Sequence, residues 1–346
     1  MSETPQVSIL MGVYNEERFL EDAIESILGQ TYQHFEFIVV DDDSTDDSRS
    51  IARSFDDPRI TLLENDENRG LTASLNRALE AATGTYVARQ DADDCSEPDR
   101  LARQVAFLEE HEEVAVVGSG AYLIDHAGTV IDRRVGYCRP KFDEFLEKSH
   151  LVHGSILARH TVLEELDGYD EFFRYGQDYD LWLRLSKRYP VANVSDPLYR
   201  LRVHDDSVYF SRKDESVLYS MLARHLSTGE ADEAVKDRLS TDGITEYYDQ
   251  LDRTQRKVFH HDLATRYLRY GHAGAALKEC RKARRFGRTA PKTVLLTLLG
   301  KAGPEATRAV RWGMRRYLNA KTTILNRLNC PYRPTEPENR PRVTVE

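Results

Sequence analysis

What most constrains this chain is an alternation, kept up through its first ninety or so residues, of short apolar runs and segments with helical spacing. Val7-Ser8-Ile9-Leu10-Met11 reads as a buried strand, with Gly12 at the turn that follows. From Glu17 to Leu28 the apolar residues Phe19, Leu20, Ala23, Ile24, Ile27 and Leu28 recur at helical spacing. Phe35 to Val40 is a second strand, and Ser44 or Thr45 is placed to cap a helix running to about Phe55. Ile60 to Leu63, then Leu71 to Ala82, then Tyr86 to Ala88 continue the pattern as strand, helix and strand. Such alternation predicts an α/β fold with a doubly wound, mostly parallel sheet, whose ligands bind at the carboxyl ends of its strands.

Further on, the spacing predicts a helix from Pro98 to about His111 and strands at Val114–Val117 and Ala121–Ile124. A strand follows over His153–Ala158, then helices over His160–Leu166 and Asp180–Lys187, and a last strand over Leu198–Val203. From about Val217 to Leu328 only helical periods remain. The organisation expected is therefore residues 1–95 and 96–216 as two halves of one α/β domain, 217–330 as a basic helical domain, and 331–346 as a disordered tail rich in Pro and charge.

Charge separates these parts. The net charge is −10, yet Arg253 to Arg327 holds nineteen Lys or Arg against three Asp or Glu. The acidic remainder disfavours nucleic acid as a partner. An acidic, Lys-poor composition also fits a salt-adapted source. Arg281, Lys282, Arg284, Arg285 and Arg288 cluster, and Arg311, Arg315 and Arg316 fall at helical spacing around Trp312. Two readings stay open for them: peripheral contact with an anionic membrane, or pairing with the acidic domain. Cys95, Cys138, Cys280 and Cys330 lack metal-ligand spacing and read as free thiols of a reducing compartment. The N-terminus has no leader pattern, and no apolar run approaches a membrane span. A cytoplasmic location is expected, with peripheral contact at the inner face of the membrane left open.

Aspartates gather at the predicted strand ends: Asp41-Asp42-Asp43 after the second, Asp91, Asp93 and Asp94 after the fourth. A D-x-D pattern alone is weak, since an acidic chain has many and most are solvated turns. Position strengthens Asp91/Asp93, because carboxylates crowded at a strand end repel one another until a cation offsets the cost. Mg²⁺ or Mn²⁺, held by one or two carboxylates and by substrate phosphates, suits such a site. Asp178 stands at the start of a predicted helix, either as a cap or as a proton acceptor. Trp182 and Leu185 fall on the apolar side of that helix, and Arg69 and Arg89 are placed to touch phosphate or to pair with nearby acids.

The motifs Val7–Glu17, Val39–Asp46, Asn68-Arg69-Gly70, Asp91-Ala92-Asp93-Asp94 and Gly176–Leu185, in this order and spacing, resemble the family 2 glycosyltransferases of GT-A fold over roughly residues 5 to 210. The resemblance implies that Tyr14 and Asp42 grip the nucleobase of a nucleotide-diphosphate sugar. It places Asp91 on the ribose or donor sugar with Arg69 nearby, and Asp93 on the metal. It implies that Asp178 is the catalytic base of an inverting transfer. His204 matches a position beside the metal or diphosphate, with a surface histidine as the alternative. His153, Gln177 and Trp182 fall on the acceptor side, where core packing is the competing role for His153 and Trp182. The family usually has Glu-Asp where this chain has Gln177-Asp178, which puts its acceptor contacts in doubt. The activity implied is transfer of a sugar, from UDP most commonly, to an acceptor glycan that could be lipid-linked. A catalytically silent sugar-nucleotide-binding or scaffold protein is the alternative. A sugar-phosphate nucleotidyltransferase is disfavoured, because the loop after the first strand has one glycine and two acids.

Overall fold

The computed structural model describes residues 6–203, 213–269 and 272–287, together with 297–298, 301, 316 and 319–326. Its first third follows the predicted alternation: β1 (Val7–Val13), α1 (Leu20–Leu28), β2 (Phe35–Asp41), α2 (Ser48–Ser54), β3 (Ile60–Glu64), α3 (Leu71–Ala81) and β4 (Tyr86–Arg89). Then come β5 (Cys95–Ser96), α4 (Arg100–Glu110), β6 (Val116–Ile124), β7 (Val130–Arg134), α5 (Phe142–Glu147), β8 (Leu157–Arg159), α6 (His160–Glu165), α7 (Gln177–Ser186) and β9 (Val191–Arg202). The described helices after these are α8 (Lys213–Thr228), α9 (Ala234–Asp242), α10 (Tyr247–Gln250), α11 (Arg253–Arg269) and α12 (Ala273–Arg284).

The strands form one sheet in the order β3-β2-β1-β4-β8-β6-β9-β5, with β7 beside β6. β3, β2, β1 and β4 are parallel; β8 enters antiparallel to β4 and β6, and β6 and β9 are again parallel. The chain leaves β1 toward β2 and β3, then returns to place β4 on the other side of β1. That reversal opens a crevice at the carboxyl ends of β1, β2 and β4, the place where open α/β sheets bind ligands.

Strand periodicity of two sorts the core into layers. Val7, Ile9, Met11 and Val13 face α1 and α4, burying Leu20, Ile24, Ile27, Leu101 and Val105. Leu10, Ile38 and Val40 face the other way, toward Leu75 of α3 and Leu181, Trp182 and Leu185 of α7. The same cluster continues through Val217, Leu218 and Leu222 of α8 to Phe259 and Leu263 of α11. The start of the helical region therefore shares the core of the sheet domain.

Several local expectations are corrected. Neither Ser44 nor Thr45 caps α2: Ser44 Oγ accepts the Asn15 amide at 3.1 Å, and α2 starts only after Asp47. The two strands expected between Val114 and Ile124 are one, β6, because Gly118 and Gly120 sit where neighbouring chain leaves no room for a side chain. The run His153–Ala158 splits into a 3₁₀ turn over His153–Ser155 followed by β8. Cys95 and Cys280 are free thiols, but Cys138 is disulfide-bonded to a partner outside the described residues.

Candidate active site

The two loops at the carboxyl ends of β1 and β2 are laced side chain to backbone. Thr45 N–H donates to Asn15 Oδ1 (2.8 Å), Glu16 N–H to Ser48 Oγ (2.7 Å), and Glu17 N–H to Asp46 Oδ2 (3.0 Å). Asn15 and Asp43 take left-handed backbone to make these turns. Asp42 is buried and binds the loop that enters α3: its carboxylate accepts Asn65 Nδ2 (2.6 Å), the Arg69 amide (2.9 Å) and the Gly70 amide (2.7 Å). A carboxylate has about four acceptor positions, so one remains for a ligand donor. Arg69 lends this contact its backbone while its side chain lies exposed. Tyr14 is 47% exposed at the rim, a large apolar ring that no core contact explains. Asp41 is buried and ion-paired to Arg49 at 2.7 Å.

The loop after β4 rests on a buried polar scaffold. Arg89 binds Asp91 Oδ1 at 2.7 Å and the Leu10 carbonyl at 3.2 Å. Gln90 Nε2 donates to the carbonyls of Asp91 and Asp94. Arg100, fully buried beneath, donates to the Arg89 and Gly154 carbonyls, and burial pulls its guanidinium down to about 10. The Asp91 amide donates to the Tyr199 hydroxyl (3.1 Å). Arg202 closes the far side: its amide donates to Asp94 Oδ1 (2.6 Å), its Nε to the Asp93 carbonyl (2.8 Å), and its guanidinium stacks 4.2 Å from the Phe19 ring centre. Gly154 lacks a side chain for a plain reason. A Cβ there would strike the Tyr199 hydroxyl and stand 2.6 Å from Asp91 Oδ2.

Asp178 arrives from the start of α7, on the opposite side of the chain's topology. The cap position belongs to Gly176, in left-handed backbone, so the capping role considered for Asp178 falls away. Burial is the main cause that raises the Asp178 pKa; the charge of Asp91 adds to it, while the Tyr179 amide and Arg266 oppose it. Tyr169 feels both Asp178 and Asp91, and burial pushes its phenol up. Its hydroxyl is 2.8 Å from His153 Nε2. Burial drives His153 down to about 3, helped by Arg89, so that imidazole is neutral. Asp91, Arg89, His153, Tyr169 and Asp178 thus form one electrostatic cluster, drawn from β4, the 3₁₀ turn, the loop after α6, and α7. Trp182 has no exposed surface and meets the cluster at the His153 ring, 6.0 Å between centres. Gln177 is buried in the first turn of α7. Arg184 pairs with Asp180 at 2.8 Å and donates to the Leu166 and Gly168 carbonyls, fixing the loop that carries Tyr169.

A divalent cation fits this donor set. Asp91, Asp93 and Asp94 offer hard oxygens; burial and then the charges of Asp93 and Asp91 push Asp94 well up, and its buried Oδ2 has no hydrogen-bond partner. Among the described residues no group of three or more His, Cys, Asp or Glu is placed to hold a metal ion, Asp91, Asp93 and Asp94 included, so the protein would supply at most one or two of the ligands. The cluster suits Mg²⁺ or Mn²⁺ shared with ligand oxygens. His204 lies outside the described residues. Of two surface depressions, one of about 430 Å³ runs from Ser44 and Asp46 of the loop after β2 along α2, and one of about 280 Å³ lies away from the aspartates at the entry to α6. Sequence reasoning missed Arg100, Tyr169, Tyr199 and Arg202. Only Arg100 and Arg202, charges spaced among apolar residues of a helix and a strand, gave a hint.

A model of the family described as glycosyl transferase family 2 matches residues 8–166. Glycosyltransferase EpsE of Bacillus subtilis is 40% identical over 238 residues, 65% of this chain and 84% of that protein. The Escherichia coli protein WfgD, named a UDP-Glc:alpha-D-GlcNAc-diphosphoundecaprenol beta-1,3-glucosyltransferase, is 30% identical over 55% of this chain and 73% of its own length. Among solved structures, S. aureus TarS 1-349 in complex with UDP-GlcNAc superposes with a TM-score of 0.56 at 17% identity, covering 89% of this chain and 92% of that one. The mannosyltransferase PcManGT from Pyrobaculum calidifontis, in complex with GDP-Man and Mn²⁺, gives 0.52 at 19% identity over 94% and 88%.

Proposed function

The chain belongs to glycosyl transferase family 2, and from that premise we propose that it transfers a sugar from a UDP-sugar to an acceptor hydroxyl with inversion of configuration. The observation that carries the proposal is that Asp91 and Asp178, from separate elements, both act electrostatically on the one buried Tyr169 phenol, whose hydroxyl lies 2.8 Å from His153 Nε2. UDP as carrier is supported by the donor in the name of WfgD and by the ligand bound to TarS, and the neighbour complexed with Mn²⁺ supports a divalent cation.

Tyr14 and Asp42 hold the base, with the remaining acceptor position of Asp42 toward a ring N–H. Asp91, oriented by Arg89, receives hydroxyls of the ribose or donor sugar. Asp93, with His204, would hold Mg²⁺ or Mn²⁺, which when bound supplies Lewis-acid stabilisation of charge on the leaving diphosphate. Asp178 takes the proton of the acceptor hydroxyl. That oxygen forms its bond to the anomeric carbon from the face opposite the nucleotide, and the bond to the diphosphate breaks. A raised pKa suits this role, since a carboxylate of ordinary acidity is a weak base near neutrality. Gln177 keeps a second negative charge away from the base, and His153 offers the acceptor side a neutral polar edge.

The acceptor is a glycan of polysaccharide assembly, with a diphosphate-lipid carrier supported by the name of WfgD. No helix among the described residues is long and apolar enough to cross a membrane. Arg281, Lys282, Arg284 and Arg285 are exposed on and just after α12 and provide a face for an anionic bilayer from the cytoplasmic side. The test of the site is calorimetry with UDP and Mn²⁺. Asp93→Asn is expected to abolish the Mn²⁺-dependent part of UDP affinity, and unchanged titrations would remove Asp93 from the metal site. A wild-type chain that neither hydrolyses nor transfers from any nucleotide sugar would leave the catalytically silent alternative.

A further inference from the structure

The carboxylate of Asp42 meets donors from three residues, and one of them is oriented from α3. Asn65 Nδ2 (2.6 Å) and the Arg69 amide (2.9 Å) donate to Oδ1, and the Gly70 amide (2.7 Å) donates to Oδ2. The acceptor position left over is therefore on Oδ2. Asn65 is buried, its amide donates to the Asp41 carbonyl at 2.8 Å, and its Nδ2 also donates to Ser74 Oγ at 3.1 Å. A carboxamide fits such a space either way round, and its two orientations present opposite chemistry to Asp42. The Ser74 hydroxyl donates or accepts, so it does not choose between them. Arg77 does. Its Nη1 donates to Asn65 Oδ1 and, at 2.7 Å, to the Glu64 carbonyl, and a guanidinium has no acceptor with which to meet an NH₂ group.

We propose that Asn65 and Arg77 are positioning residues that set the nucleotide specificity of the donor site. Arg77 holds the Asn65 carboxamide with its NH₂ toward Asp42, which leaves that carboxylate one acceptor position, matched by a single imide N–H. Uracil and thymine carry one such N–H between two carbonyls. Guanine presents two neighbouring donors, of which Asp42 would answer one, and cytosine puts a bare ring nitrogen against the carboxylate. The site therefore takes a pyrimidine-dione carrier, UDP or dTDP. Neither residue touches the reacting atoms; both act through Asp42, and the proposal rests on Asp42 being the contact to the base.

The experiment titrates the full chain, wild type and variants, with UDP, N3-methyl-UDP, GDP and CDP by calorimetry in Mn²⁺. Wild type is expected to bind UDP roughly ten- to a hundredfold more tightly than each of the other three, the range spanned by one hydrogen bond to a charged group. Asn65→Asp keeps the shape but places an oxygen where the NH₂ stood, and should cut the preference for UDP over N3-methyl-UDP to under about threefold. Arg77→Met leaves the carboxamide free to turn and should lose part of the preference; Arg77→Lys can still donate to Oδ1 and should keep it. Arg77 is only half-buried, so its variants decide the matter even where Asn65→Asp does not fold. Inorganic pyrophosphate probes the rest of the site, and its affinity should not change in any variant. A wild type that binds N3-methyl-UDP as well as UDP removes Asp42 from the base, and the proposal falls with that reading. A wild type that discriminates, with its preference intact in either Asn65→Asp or Arg77→Met, overturns the proposal and leaves the reading of Asp42 standing. So does an equal weakening of UDP and N3-methyl-UDP, which marks a packing role alone. GDP bound as tightly as UDP overturns the single-acceptor match.

Discussion

A carboxylate whose pKa is raised by burial destabilises the fold whenever it is ionised, because the unfolded chain ionises it at no such cost. Asp178 is in that position, with desolvation first among its causes and the charge of Asp91 behind it. The sign is fixed. Below the unfolded value both states are protonated and nothing is lost; as pH rises through the raised folded value the penalty grows, then levels off. Asp178→Asn removes the ionisation and keeps the shape. It is expected to abolish transfer, leave UDP binding intact, and melt above wild type at pH 7 but not at pH 3.5. Each kcal/mol relieved is worth roughly 2–4 °C. Differential scanning across that range checks it, and a variant that melts below wild type at pH 7 would make Asp178 a structural residue. The sequence carried Asp178, Asp91 and Asp93 because motif spacing survives in one dimension. It could not carry Tyr169 or Arg202, whose roles depend on a hydroxyl 2.8 Å from His153 and on three loops meeting one guanidinium.

At the scale of elements, the site is set by how closely β4 and the 3₁₀ turn approach. Gly154 gives up its side chain so that the Asp91 carboxylate and Tyr199 hydroxyl can lie against its backbone. Gly154→Ala puts a methyl group into both, and because Arg89 and Arg100 lock the β4 end from below, Asp91 is the part that gives way. The variant should fold with a loss of about 1–3 kcal/mol, the usual cost of overpacking. It should also lose UDP affinity well beyond what that destabilisation explains. Calorimetry beside a urea titration separates the two, and full affinity in a folded variant would show that Asp91 does not contact the donor. Of the strongly periodic elements, β1, β2 and β4 were legible because both strand faces are buried and their helices show one apolar stripe; β3, only half-buried, was legible as a short apolar run between helices. β5 and β7 were not, since two residues such as Cys95-Ser96, or an edge strand with Val130 and Ile131 both exposed, leave no alternation to read. Gly118 and Gly120 misled for the reverse reason: glycine marks a break in sequence but here marks close packing.

For the whole molecule, the decisive question is how a sheet with an exposed edge keeps it from pairing with another chain, a hazard of any unpaired strand. The answer comes from the far end of the sequence. In the helical residues 319–326, Asn319 accepts the Val135 amide (3.3 Å) and donates to the Arg133 carbonyl (2.8 Å), while Asn326 accepts the Cys138 amide (3.0 Å) and donates to the Gly136 carbonyl (2.8 Å). Each side-chain amide acts as a strand neighbour would. Seven residues of helix advance about 10.5 Å and three of extended chain about 10 Å, so the two asparagines fall in register with the edge. Nothing in the sequence announces this, since two asparagines seven apart acquire meaning only against a strand edge. The Cys138 disulfide sits at the end of the same edge. Denatured without reductant, the protein should yield Cys95 and Cys280 to alkylation and spare Cys138. Asn326→Ala leaves the Cys138 amide and the Gly136 carbonyl without these partners, at a cost of about 1–3 kcal/mol. Amide exchange at Cys138 should speed up in that variant, and more so after reduction, because the disulfide also restrains the backbone at Cys138. If exchange at Cys138 is equally slow in wild type, Asn326→Ala and the reduced protein, the helix does not cover the edge and the strand must be protected by other means.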